Sequence, residues 1–65
     1  MKITLNGSVV ETDQSDLLAL VLEKGLAPSS LVIEHNREVI KHEDWAATPL
    51  GEGDTIELLN FVGGG

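Results

Sequence analysis

The sequence predicts an α+β domain: one main helix packed on a mixed sheet of four to five strands. Apolar and polar residues alternate near both ends of the chain, which is the period of half-buried strands. A single stretch between them has helical spacing, and short turns rich in asparagine and glycine separate the pieces.

The elements follow in order. Met1, Ile3 and Leu5 alternate with Lys2 and Thr4, as in a strand with one face on a core. Asn6-Gly7 comes next, a strong hairpin signal because both turn positions need a positive φ that Asn and Gly tolerate. Ser8-Val9-Val10-Glu11 then reads as the returning strand. Thr12-Asp13-Gln14-Ser15 is rich in capping groups, and Asp13 and Ser15 are both candidates for the N-cap oxygen of a helix over 16–24. On that helix Leu17, Leu18, Val21 and Leu22 are expected to share a stripe facing the sheet. Gly25 is the expected stop, since glycine enters the left-handed conformation at little cost. Leu31-Val32-Ile33-Glu34-His35 reads as a strand, Asn36-Arg37 as a tight turn, and Glu38-Val39-Ile40 as a short fourth strand. Residues 42–47 read as one helical turn carrying Trp45, expected as a lid over the sheet edge. The turn cluster 49–54 leads into a long last strand over 55–62.

A hairpin, a helix, short strands and a long final strand lying beside the first give the β-grasp, or ubiquitin-like, arrangement. Residues 1–62 are expected to form the domain and residues 63–65 a glycine tail. With 65 residues there is material for one core and little for an enclosed pocket, since small-molecule sites typically occupy ~300–1,000 Å³. The chain is therefore not read as a self-contained enzyme; any chemistry is expected at a terminus or from a partner. Eleven acidic and four basic residues give a formal net charge of −7. Such a surface repels phosphate backbones and anionic lipid, which argues against nucleic acid and membranes as partners. The chain has no cysteine, which excludes a disulfide scaffold and any sulfur chemistry on a side-chain thiol. The opening residues lack the apolar run of a signal peptide, and a cytoplasmic protein is expected.

The last strand points to function. Ile56, Leu58 and Val62 are expected on the core face, with Thr55, Glu57, Leu59 and Phe61 on the opposite one. Exposed apolar residues such as Leu59 and Phe61 mark a partner surface, unless the helical turn or Trp45 covers them. Gly63-Gly64-Gly65 follow. Glycines neither pack nor hold a strand, so the tail is expected to stand clear of the domain and carry its carboxylate into another protein's active site. A carboxylate is unreactive until activated; attack on the α-phosphate of ATP gives an acyl-adenylate, from which a thiolate or amine displaces AMP. Gly65 has no Cβ to hinder that step. Terminal fraying or a linker remnant would also leave such a run, though linker glycines usually come with serine.

Taken together, Ile3-Thr4-Leu5-Asn6-Gly7, Glu43-Asp44-Trp45, Gly53-Asp54-Thr55-Ile56-Glu57 and Phe61-Val62-Gly63-Gly64-Gly65 resemble the ThiS-type sulfur carriers of thiamin thiazole biosynthesis over essentially the whole chain. The resemblance implies that Gly65 is adenylated by an E1-like adenylyltransferase (ThiF-type) and converted to a thiocarboxylate. Sulfur would come from a donor such as a cysteine desulfurase and be delivered to thiazole synthase (ThiG-type). It further implies that Gly63 and Gly64 thread the partner's channel, with Phe61 and Val62 at its mouth. No cofactor is expected on this chain; ATP and Mg²⁺ would belong to the activating enzyme.

Other constellations are weaker. His35 and His42 with Glu34, Glu38 or Glu43 match no metal-ligand spacing, and no metal is expected. Ser29-Ser30 lacks an attendant His and Asp pattern. Gly51-Glu52-Gly53-Asp54 carries carboxylates that would repel phosphate. Two alternatives to the sulfur carrier of thiamin synthesis stay open: the small subunit of molybdopterin synthase, whose tail also ends in paired glycines, and a ubiquitin-like modifier or adaptor that acts by binding alone.

Overall fold

The computed structural model describes residues 1–60. Within them, strands β1 (Lys2–Leu5), β2 (Ser8–Glu11), β3 (Leu31–His35), β4 (Glu38–Ile40) and β5 (Thr55–Asn60) form one sheet, and α1 (Leu17–Glu23) packs across it. The strand order is β2-β1-β5-β3-β4. β5 lies parallel to β1 and antiparallel to β3, while both hairpins are antiparallel. This is the β-grasp arrangement expected, with the last strand central.

The two hairpins close as their turn residues dictate. Asn6 and Gly7 have φ of 49° and 85°, and Asn36 and Arg37 have 50° and 75°. These left-handed pairs match the right-handed twist of the flanking strands. Arg37 carries a side chain in that conformation, which glycine would adopt with less strain.

The helix differs from expectation at its start and on its face. Neither Asp13 nor Ser15 caps it: Asp16 does, accepting from the Ala19 N–H at 2.9 Å. Ser15 cannot serve because its backbone is committed elsewhere, its carbonyl accepting from the Leu50 N–H at 2.9 Å. The buried residues of α1 are Leu17, Leu20 and Val21, while Leu18 is only half-buried and Leu22 is exposed. Spacing of 3.6 residues per turn puts positions 17, 20 and 21 on one side, so Leu20 takes the inward place expected of Leu22. Gly25, with φ of 72°, ends the helix as expected. Behind it, Thr12 is buried; its hydroxyl donates to Glu23 and accepts from the Gln14 N–H, tying the end of the first hairpin to the last turn of α1.

The core lies between α1 and the sheet and holds Ile3, Leu17, Leu20, Val21, Ile33, Trp45, Ile56 and Leu58. Trp45 is a correction. It rides on a 3₁₀ turn, His42–Ala47, as expected, but it is fully buried and not a lid at the edge. Its indole N–H donates to the Ile40 carbonyl at 2.9 Å, which removes the penalty of burying an unpaired donor. Among the described residues no helix is long and apolar enough to cross a membrane.

Candidate functional site

β5 is the element that leads toward the glycine run, and the chain fastens it along its length. Asp54, just before the strand, accepts from the Gly51 N–H at 2.7 Å and from the Asn36 amide at 3.2 Å, and pairs with His35 Nε2 at 2.7 Å. Burial pushes the Asp54 carboxyl up, but the hydrogen bonds from His35, Gly51 and Asn36 outweigh it and hold the group below its ordinary value. Asn36 also accepts from the Thr55 N–H at 2.9 Å, and its own N–H donates to the Thr55 carbonyl at 2.8 Å. Further along, the Asn6 N–H donates to the Ile56 carbonyl at 2.9 Å, and the Asn6 side chain accepts from the Leu58 N–H at 2.8 Å.

Thus each hairpin turn contributes an asparagine that does two jobs. Its backbone makes the left-handed turn, and its amide clamps β5. The sequence marks both turns but not the clamps, because a side chain's reach across roughly 20 or 50 residues leaves no local signal. His35 and Asp54 were likewise legible only as separate residues.

The strand's two faces separate as expected for the described positions. Ile56 and Leu58 are buried; Thr55, Glu57 and Leu59 are exposed, Leu59 by 52%. Trp45, which is committed to the core, does not cover Leu59. Leu59 stands opposite Val32 of β3, and that pair forms an apolar step at the end of the strand nearest the glycines. Of the other predicted site residues, Phe61, Val62, Gly63, Gly64 and Gly65 lie outside the described residues.

The remaining candidates do not converge. His42 stacks edge-on against Trp45 with ring centroids 4.6 Å apart, whereas His35 is held by Asp54. Among the described residues no three His, Asp or Glu side chains gather to hold a metal ion. A shallow cleft lined by Val39, Ile40, Lys41, Asp44, Ala47 and Thr48 lies beside β4, away from β5.

Comparison with known proteins places this geometry. Residues 3–65 match the model of the ThiS family, a span that includes the glycine run. The chain is 32% identical over 65 residues to the sulfur carrier protein ThiS of Bacillus subtilis, covering 97% of this chain and 98% of that protein. A crystal structure of the thiamine biosynthesis protein ThiS from Geobacter metallireducens superposes with a TM-score of 0.86 at 32% identity, each chain covered in full. The chain is also 36% identical over 66 aligned positions to a thiazole synthase of Magnetococcus marinus, where it spans only 20% of that protein's length.

Proposed function

The chain belongs to the ThiS family, and on that premise we propose that it carries sulfur for thiamine biosynthesis on the carboxylate of Gly65. The observation that carries the reading is a clamped central strand, β5, with an apolar residue exposed on its outer face, running into a glycine segment that the family match includes.

The chemistry needs little from this chain beyond presentation. In an E1-like adenylyltransferase, a Gly65 carboxylate oxygen attacks the α-phosphate of ATP; the new O–P bond forms as pyrophosphate leaves. A persulfide from a donor such as a cysteine desulfurase then attacks the acyl carbon, and the C–O bond to AMP breaks. A second thiol of the partner cleaves the S–S bond of the acyl disulfide so formed, leaving a disulfide on the partner, and a thiocarboxylate results. Thiazole synthase takes the sulfur from it. ATP and Mg²⁺ sit on the partner, and the carrier has no cysteine to compete as an acceptor. Leu59, Phe61 and Val62 form the docking surface at the root of the tail, and Gly63 and Gly64 pass through the partner's channel because they present no side chain to its walls.

Deleting Gly65 tests the reading. The carboxylate of Gly64 then falls roughly 3.3–3.6 Å short of the attack position, and misplacement by even ~1 Å can cost on the order of a hundredfold in rate. ATP–pyrophosphate exchange with the adenylyltransferase should collapse while docking and melting temperature hold. Equal exchange by the full and shortened chains would refute Gly65 as the acceptor and favour an adaptor that acts by binding alone.

A further inference from the structure

The sheet face turned away from α1 collects features the core does not explain. Of the five large apolar residues most exposed among the described ones, three are on it: Val9 of β2, Val39 of β4 and Leu59 of β5. Half-buried Val32 lies opposite Leu59, and Val39 lies opposite Glu34. At the centre, between these apolar residues, Glu34 of β3 stands directly across from Glu57 of β5.

The backbone fixes how close the two are. The Asn36 N–H bonds the Thr55 carbonyl, and alternation along an antiparallel ladder then makes Glu34 and Glu57 a pair that exchanges both backbone bonds, with Cα atoms ~5.5 Å apart. Both side chains leave the sheet on the same side. Like charges placed so are unfavourable, yet neither carboxylate has an ion-pair partner among the described residues. The Met1 amine pairs with Glu11 there, and Asp54 holds the His35 ring. Lys2 on this face stands opposite Glu11, and Lys41, just past β4 and two positions beyond Val39, forms no ion pair with Glu34 or Glu57.

We propose that this face docks thiazole synthase by admitting an arginine of the synthase between Glu34 and Glu57, with apolar side chains of the synthase resting on Val32, Leu59 and Val39. A guanidinium is planar and offers several N–H donors in a fixed fork, so it can bond both carboxylates at once, which a point-like ammonium does less well. The choice of occupant rests on charge complementarity and on the Magnetococcus synthase, which contains a stretch similar to all of this chain. A domain of this kind therefore shares a polypeptide with a synthase there. The face is also continuous with the tail: β5 runs from Glu57 through Leu59 into the glycine segment, so a partner seated here lies at the tail's root. The inference rests on the sulfur-carrier reading for its partner, but not for its test.

The test measures the dissociation constant of the unsulfurated full chain with isolated thiazole synthase, at low and high salt. It compares wild type with Glu34→Gln, Glu57→Gln and Glu57→Lys. Each glutamine variant should bind roughly tenfold more weakly and lose part of the salt dependence, and the lysine variant should bind more weakly still. Melting temperatures of the glutamine variants should equal or exceed that of wild type, because the like-charge pair is relieved. Exchange of ATP and pyrophosphate by the adenylyltransferase should not change. Glutamine variants that bind the synthase as tightly as wild type would overturn the inference, as would a wild-type chain that does not bind it. A loss confined to the adenylyltransferase assay would also overturn it, assigning the face to the other partner. Because no sulfur is on the chain, failure of Gly65 to accept sulfur would strike the carrier reading and leave this result standing.

Discussion

The two faces of β5 differ in what their residues are held by. Ile56 and Leu58 point into the core and are closed over by α1 and the buried Trp45. Glu57 and Leu59, one position along in each case, point outward and stay exposed. One strand thus buries one set of residues to make the fold and leaves the other set exposed, the set proposed to meet a partner, and the period of two keeps the sets from mixing. Substitutions on one face should unfold the domain, whereas those on the other should leave it folded and alter what it binds.

The largest expected effect is on the inner face. Ile56→Ala removes buried volume that rigid neighbours cannot refill and should cost about 2–5 kcal/mol of stability, a large share of what so small a domain has. Urea unfolding measures it. A loss no greater than that of a surface substitution would mean that the inner face is not what holds β5.

Next comes the clamp at the start of the strand. Asp54→Ala leaves His35 and the Gly51 N–H without their acceptor and should cost about 1–3 kcal/mol. The same carboxylate gives a pH signature. Its folded-state value lies below the ordinary 3.8, so its stabilisation is present above that value and is lost as pH falls through the lowered one. Melting temperature followed from neutral pH down to about pH 2 should fall less steeply in Asp54→Asn than in wild type. Identical acid limbs would remove Asp54 from the account of how β5 is fixed.

The order of elements was legible because each strand and turn is encoded locally. Asn6-Gly7, Asn36-Arg37 and Gly25 announce their own conformations, and the alternation of Ile56 and Leu58 with Thr55, Glu57 and Leu59 gives the two faces of β5. What was not legible depends on tertiary partners. Asp16 took the N-cap because the backbone on either side of it, Ser15 and Leu17, is tied to Leu50 and Thr48. Leu20 and not Leu22 faces inward because a run this rich in leucine offers two stripes, one through 17, 18, 21 and 22 and one through 17, 20 and 21, and packing on the sheet selects the second. Trp45 reads as polar-flanked and peripheral in the chain, yet a carbonyl from β4 satisfies its N–H and lets the whole ring go inside. The Glu34–Glu57 pair could not be foreseen without the β3–β5 register.

The smallest effect on stability is expected on the outer face. Leu59→Ala should change stability by no more than about 0.5 kcal/mol, because the side chain is already half in water. Binding to the adenylyltransferase or the synthase should nevertheless weaken by about 1–3 kcal/mol, the range of an interfacial anchor. Titration calorimetry beside a thermal melt separates the two. A fall in melting temperature with binding unchanged would make Leu59 a structural residue and not a docking one.

Intact mass spectrometry asks directly whether the chain presents Gly65 for sulfur transfer, as proposed. The full chain is incubated with the E1-like adenylyltransferase, ATP, Mg²⁺ and a sulfide source. Its mass should rise by ~16 Da as sulfur replaces one oxygen of the terminal carboxylate through an activated acyl group, and the chain lacking Gly65 should stay unchanged. An unaltered mass for the full chain, beside an adenylyltransferase shown to be active, would contradict the account.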